Sequence, residues 1–134
     1  MLRKQHPFAL AAVLVCATVA TCGCRRDARE SSNIGVTCLS DPAPPRVGQN
    51  AFLVILSDAQ GKSVAGARVE LEANMSHPGM GPATGTAVEV SPGSYRGGLE
   101  LGMRGDWSVI VHVTLANGRS FEREVKFQNV QPAN

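Results

Sequence analysis

The chain has 134 residues, with 13 Lys and Arg against 11 Asp and Glu, a formal net charge of +2, 43% hydrophobic and 18% charged residues. This is globular composition sufficient for one domain, and it excludes a disordered or low-complexity chain. Arg3 and Lys4 fall in the N-terminal leader; without them eleven basic residues face eleven acidic ones, which leaves no electrostatic footprint for nucleic acid or an anionic membrane surface.

Residues 1–23 read as a signal peptide of the lipoprotein type. Arg3 and Lys4 form the basic start, Pro7–Ala20 the apolar run, and Thr21-Cys22-Gly23-Cys24 the small-residue region. The apolar run is shorter than the roughly 18–20 residues a permanent bilayer-spanning helix needs. Cys24 follows Gly23, which suits acylation, although Thr21 is a poor aliphatic position before it. Cys22 has Val19-Ala20 at the right distance, but Thr21 directly precedes it. Cys24 is the preferred lipidation site, Cys22 the alternative, and simple cleavage and release the plainer reading. The expected location is the periplasm, with the lipid held in the cell membrane or outer membrane; Arg25 after Cys24 favours the outer one. Residues 24–33 are polar and aperiodic, a flexible tether.

Residues 34–130 read as one all-β domain, an immunoglobulin-like antiparallel sandwich of about seven strands. Ile34–Leu39 opens it, and alternation places Cys38 opposite Thr37. Burial in the strand is the expectation for Cys38, with a disulfide to an unlipidated Cys22 or Cys24 as the alternative. After the Pro-rich break 41–45, Val47–Ser57 carries Phe52, Val54 and Leu56 on one face. The turn 58–62 leads to Ala67–Met75, with Val69, Leu71, Ala73 and Met75 inward and Arg68, Glu70 and Glu72 outward. Thr84–Val90 and Ser94–Met103 flank Ser91-Pro92-Gly93. Asp106–Leu115 and Arg119–Phe127 flank Ala116-Asn117-Gly118, an Asn-Gly hairpin signal. The expected core contains Phe52, Val54, Leu71, Tyr95, Leu99, Leu101, Trp107, Val109, Val111, Phe121 and Phe127.

No enzyme is written in this sequence. It has no Gly-x-Ser-x-Gly elbow and no phosphate loop, and its two mature histidines lie far apart without a Cys or carboxylate cluster at metalloenzyme spacing. His112 alternates with Val111 and Val113 and reads as a strand-face histidine. The informative residues are the methionines. All three in the mature chain fall between 75 and 103, and two bracket a histidine in Met75-Ser76-His77-Pro78-Gly79-Met80-Gly81-Pro82, a Gly/Pro loop. Thioether sulfur with imidazole, without thiolate or carboxylate, is a donor set that favours Cu(I). Methionine neither deprotonates nor is lost to disulfides. Met75, His77 and Met80 are therefore candidate copper ligands, with Met103 a candidate fourth. The plainer readings are core packing for Met75 and Met103 and simple solvation for His77.

Pro92-Gly93-Ser94-Tyr95, Leu99-Glu100-Leu101 and Gly105-Asp106-Trp107-Ser108-Val109 together resemble the Gly-x-Tyr … Gly-x-Trp-x-Val pattern of YtkA-like and FixH-like domains. The stretch 58–69 also fits, and the likeness extends over most of residues 47–127. The resemblance implies an exported, membrane-tethered β-sandwich linked with copper handling or with assembly of haem-copper respiratory oxidases, and it points to Met75, His77 and Met80 as copper ligands. FixH-like members usually keep a transmembrane helix; a cleaved, lipid-bearing leader leans toward the YtkA-like side. Two functions follow as expectations. One is a tethered periplasmic protein that buffers Cu(I) or delivers it to a membrane protein partner. The alternative is a metal-free immunoglobulin-like interaction module on the cell envelope.

Overall fold

A computed structural model describes residues 33–77 and 79–134. The expected signal peptide, Cys22, Cys24, the tether up to Ser32, and Pro78 lie outside the described residues. Seven strands follow one another: β1 (Gly35–Asp41), β2 (Gly48–Ser57), β3 (Arg68–Met75), β4 (Ala83–Ser91), β5 (Ser94–Leu101), β6 (Gly105–Thr114) and β7 (Ser120–Val130). They pair antiparallel in the order β1-β2-β5-β4-β3-β6-β7. With β1-β2-β5-β4 in one layer and β3-β6-β7 in the other, this is the strand order of a constant-type immunoglobulin sandwich. Among the described residues no helix is long and apolar enough to cross a membrane.

The period-2 pattern explains the layers. In β6, Trp107, Val109, Val111 and Val113 are buried, while Ser108, Ile110, His112 and Thr114 are partly exposed between them. Phe52, Val54 and Leu56 of β2, Val69, Leu71 and Ala73 of β3, and Tyr95, Leu99 and Leu101 of β5 meet these in the core. Each fully buried large side chain of this kind stabilises the fold by roughly 1.5–3 kcal/mol. Phe127 packs edge-on against Phe52, with ring centroids 5.3 Å apart. Phe121 and Phe127, expected in the core, are only half-buried, because β7 is an edge strand with no neighbour beyond it. Cys38 is buried as its alternation predicts, a free thiol whose pKa burial pushes up to about 11.

β4 joins the layers. Its first half pairs with β3 from Ala83↔Ala73 to Ala87↔Val69, and its second half pairs with β5 through Val88↔Arg96 and Ser91↔Ser94. Where it crosses over, backbones approach closely. A Cβ on Gly85 would sit on the Gly98 carbonyl oxygen, and one on Gly97 would lie 2.9 Å from the Thr86 carbonyl oxygen.

The antiparallel registers define two ends. At one end, β1 begins opposite the end of β2 (Gly35↔Ser57), and the tight β4–β5 hairpin turns. Tyr95 holds that end together: its hydroxyl donates to the Val64 carbonyl at 2.9 Å and accepts from the Ala67 N–H at 3.1 Å. The other end carries the β1–β2, β3–β4 and β5–β6 connections. It is sealed where the Val47 N–H donates to the Gln131 carbonyl and the Gln131 N–H to the Pro45 carbonyl, at 2.8 and 2.9 Å. Asn50, the buried polar residue, braces this seal. Its amide accepts from the Arg46 N–H and donates to the Arg46 and Gly48 carbonyls.

Candidate metal centre

All three methionines of the described residues lie at this sealed end. Met75 is the last residue of β3 and sits opposite Trp107 of β6. Met80 lies in the β3–β4 connection and Met103 in the β5–β6 turn. Because the end of β3 pairs with the start of β6, Met75 opposite Trp107, those two connections are neighbours. The alternation Tyr95, Leu99, Leu101 had carried the strand on to Met103. Instead β5 ends at Leu101, and Met103 is 50% exposed in the turn. Two glycines account for the change: Gly102 follows the strand directly, and Gly105 takes φ +123°, a conformation L side chains rarely adopt.

The other two methionines close on this turn from its flanks. A Cβ at Gly102 would lie 3.0 Å from the Met80 methyl carbon, and one at Gly105 would lie 3.1 Å from the Met75 methyl carbon. The glycines thus leave bare backbone where the thioether arms rest. Met80 is 42% exposed and Met75 half-buried. The indole N–H of Trp107 donates to the Met103 carbonyl oxygen at 2.9 Å. The structure therefore gathers Met75, Met80 and Met103 around residues 102–105. His77 is exposed on the same connection as Met80 and makes no hydrogen bond or ion pair among the described residues.

Beside the turn is an open depression of about 440 Å³ lined by Gln49, Met80, Pro82, Glu100, Gly102 and Trp107. Gln49 and Glu100 face each other across β2 and β5, with a long amide-to-carboxylate contact of 3.4 Å. Sequence reading did not assign these two to the site; the signal was their register, which only the pairing of β2 with β5 supplies. Glu100 is the one carboxylate lining this depression, and the Met80 thioether is its one soft donor.

The larger depression, about 950 Å³, lies on the outer face of β4, β3, β6 and β7 and holds none of the methionines. His112 is there, on the strand face as expected. Its Nε2 lies 3.1 Å from Glu72 and its Nδ1 3.2 Å from Glu122. The carboxylates flank opposite edges of the ring and do not converge. Hydrogen bonds from Asn74 and from His112 hold the Glu72 carboxyl below its usual pKa. Among the described residues no group of three or more His, Cys, Asp or Glu is placed to hold a metal ion. A metal at the sealed end would depend on thioether sulfur, and a neutral thioether set suits a soft monovalent ion better than a hard divalent one.

The fold and this end together define an all-β, immunoglobulin-like domain that presents methionines from adjacent turns. A family model, YtkA-like, matches residues 30–112, and the chain belongs to that family. The match takes in β1 through most of β6, including Met75, His77, Met80, Met103 and the Gly105-x-Trp107 pair. Comparison with curated proteins returned no match.

Proposed function

We propose that this protein is a tethered periplasmic copper-binding protein, which buffers Cu(I) or delivers it to a membrane protein partner, in support of respiratory oxidase assembly. The observation that carries the reading is the gathering of Met75, Met80 and Met103 around a single turn, with His77 on the adjoining connection. Two of the three sulfur-bearing side chains are about half exposed, so an incoming ligand has access to replace them one at a time. His77 supplies a nitrogen donor beside the thioethers. The anchor at Cys24 holds the protein at the cell membrane or outer membrane, and the chain has no role as an enzyme.

Anaerobic titration of the purified protein with Cu(I) against a chromogenic chelator tests this. One equivalent withdrawn from the chelator, and lost in the His77→Ala/Met80→Leu double variant with an unchanged melting temperature, is the expected result. No withdrawal by the wild type, or equal withdrawal by the double variant, overturns the reading or moves the site elsewhere. The exposure of Met80 and Met103 beside Pro82 favours one second reading, a metal-free interaction module whose adaptable apolar turns contact a protein.

A further inference from the structure

We infer that Trp107 is a positioning residue of the methionine end: its indole N–H fixes the turn that presents Met103. The inference rests on the copper reading for its functional consequence, and on the hydrogen bond for its geometry. Trp107 is 2% exposed, and its one polar side-chain atom reaches back four residues to the Met103 carbonyl at 2.9 Å. A buried indole needs such a partner. The turn needs it too. Gly102, Met103 and Arg104 are all exposed, and among the described residues no backbone hydrogen bond fastens them. Glycines stand at both limits of the segment, so the chain itself supplies little stiffness there. The indole bond is what ties this three-residue turn to the rigid strand β6.

The choice of residue fits that role. Elsewhere the described core is filled by Val, Leu, Ala, Phe, Tyr and Cys, and the single Trp of the chain stands where its N–H can reach the methionine turn. Packing alone would be served by Phe. The hydrogen bond would not. The pattern Gly105-x-Trp107 then has a division of labour: the glycine leaves room for the Met75 methyl, and the tryptophan fastens Met103 beside it.

The test is a double-mutant cycle on Cu(I) affinity in the purified protein, with Trp107→Phe, Met103→Leu and the pair. Freeing the turn adds back conformational freedom that binding must remove, worth about tenfold in affinity. Trp107→Phe is expected to weaken Cu(I) retention about tenfold in the wild-type background and less than twofold in the Met103→Leu background. Equal losses in both backgrounds, or no loss in either, overturn the inference. Metal-free protein with ¹³C-methyl methionine supplies an independent readout, which decides the matter even if the wild type withdraws no copper and the copper reading fails on its own. The Met103 methyl signal should move toward the free-methionine position in Trp107→Phe; an unmoved Met103 signal refutes positioning. Should that variant not fold, 3-benzothienylalanine at position 107 keeps the bicyclic shape without the N–H and enters the same two measurements.

Discussion

Tyr95→Phe removes one oxygen atom and leaves the ring in place, so it isolates the hydroxyl that links β5 to the β2–β3 connection. Two hydrogen bonds to backbone disappear, the one donated to Val64 and the one accepted from Ala67, together with the exposed Glu89 carboxylate's interaction with the same hydroxyl, which lowers the Glu89 pKa. Each backbone bond contributes about 1 kcal/mol net, and a partner left dry costs up to about 3 kcal/mol. Val64 and Ala67 are only half-buried, so water can reach the freed groups and the low end applies. The expected loss is about 2 kcal/mol. For a domain of this size that lowers the melting temperature by roughly 8–16 °C. Urea unfolding should show a lower midpoint at unchanged slope, and the Ala67 amide should lose protection from hydrogen exchange. A loss below about 0.5 kcal/mol, with Ala67 still protected, would refute the claim that this hydroxyl holds the end together.

Two further outcomes follow from the core. Cys38 should resist a thiol reagent in the folded protein at pH 8 and react on unfolding; rapid labelling of native protein would contradict its burial. Its folded pKa of about 11 exceeds the ordinary 9.0 because burial disfavours the thiolate. The folded state therefore holds the proton more tightly, and stability is complete below pH 9 and falls as pH rises toward 11, by up to about 2 kcal/mol. Cys38→Ser should flatten that alkaline slope. Gly85→Ala should destabilise by more than about 3 kcal/mol or prevent folding, since the added methyl lands on the Gly98 carbonyl oxygen and no flexible side chain stands there to yield; a soluble variant with wild-type melting would remove the account of the β4 crossing.

The strand pattern was readable wherever one face is buried and the other wet, as in β3 and β6, where alternation is unbroken. It misled where alternation ran past a strand. Met103 kept the phase of Leu99 and Leu101, and only the backbone freedom of Gly102 and Gly105 separates it from them. β7 runs beyond Phe127 to Val130, because Asn129 adopts φ 57° and its N–H donates to Asp106 across a shift in the β6–β7 register. Such a repair cannot be seen in a hydropathy pattern. The loop that follows Met75 and carries His77 and Met80 was visible from its Gly and Pro residues alone. The resting places of the methyl groups, the Trp107 bond and the Gln49–Glu100 pair were not, since each joins residues that only strand pairing makes neighbours. The outward direction of His112 was legible; its bracketing by Glu72 and Glu122 needed the adjacency of three strands.

The two ends of the sandwich set a direction for the molecule. The described domain starts beside Ser57, and the methionine turns open at the far limit of β5, whose eight residues span about 26 Å at ~3.3 Å each. A hold on the chain ahead of Gly35 would act like the handle of a ladle, with the thioethers at the bowl. The side away from the handle is then the open one, and there Met80 and Met103 stand 42% and 50% exposed to water.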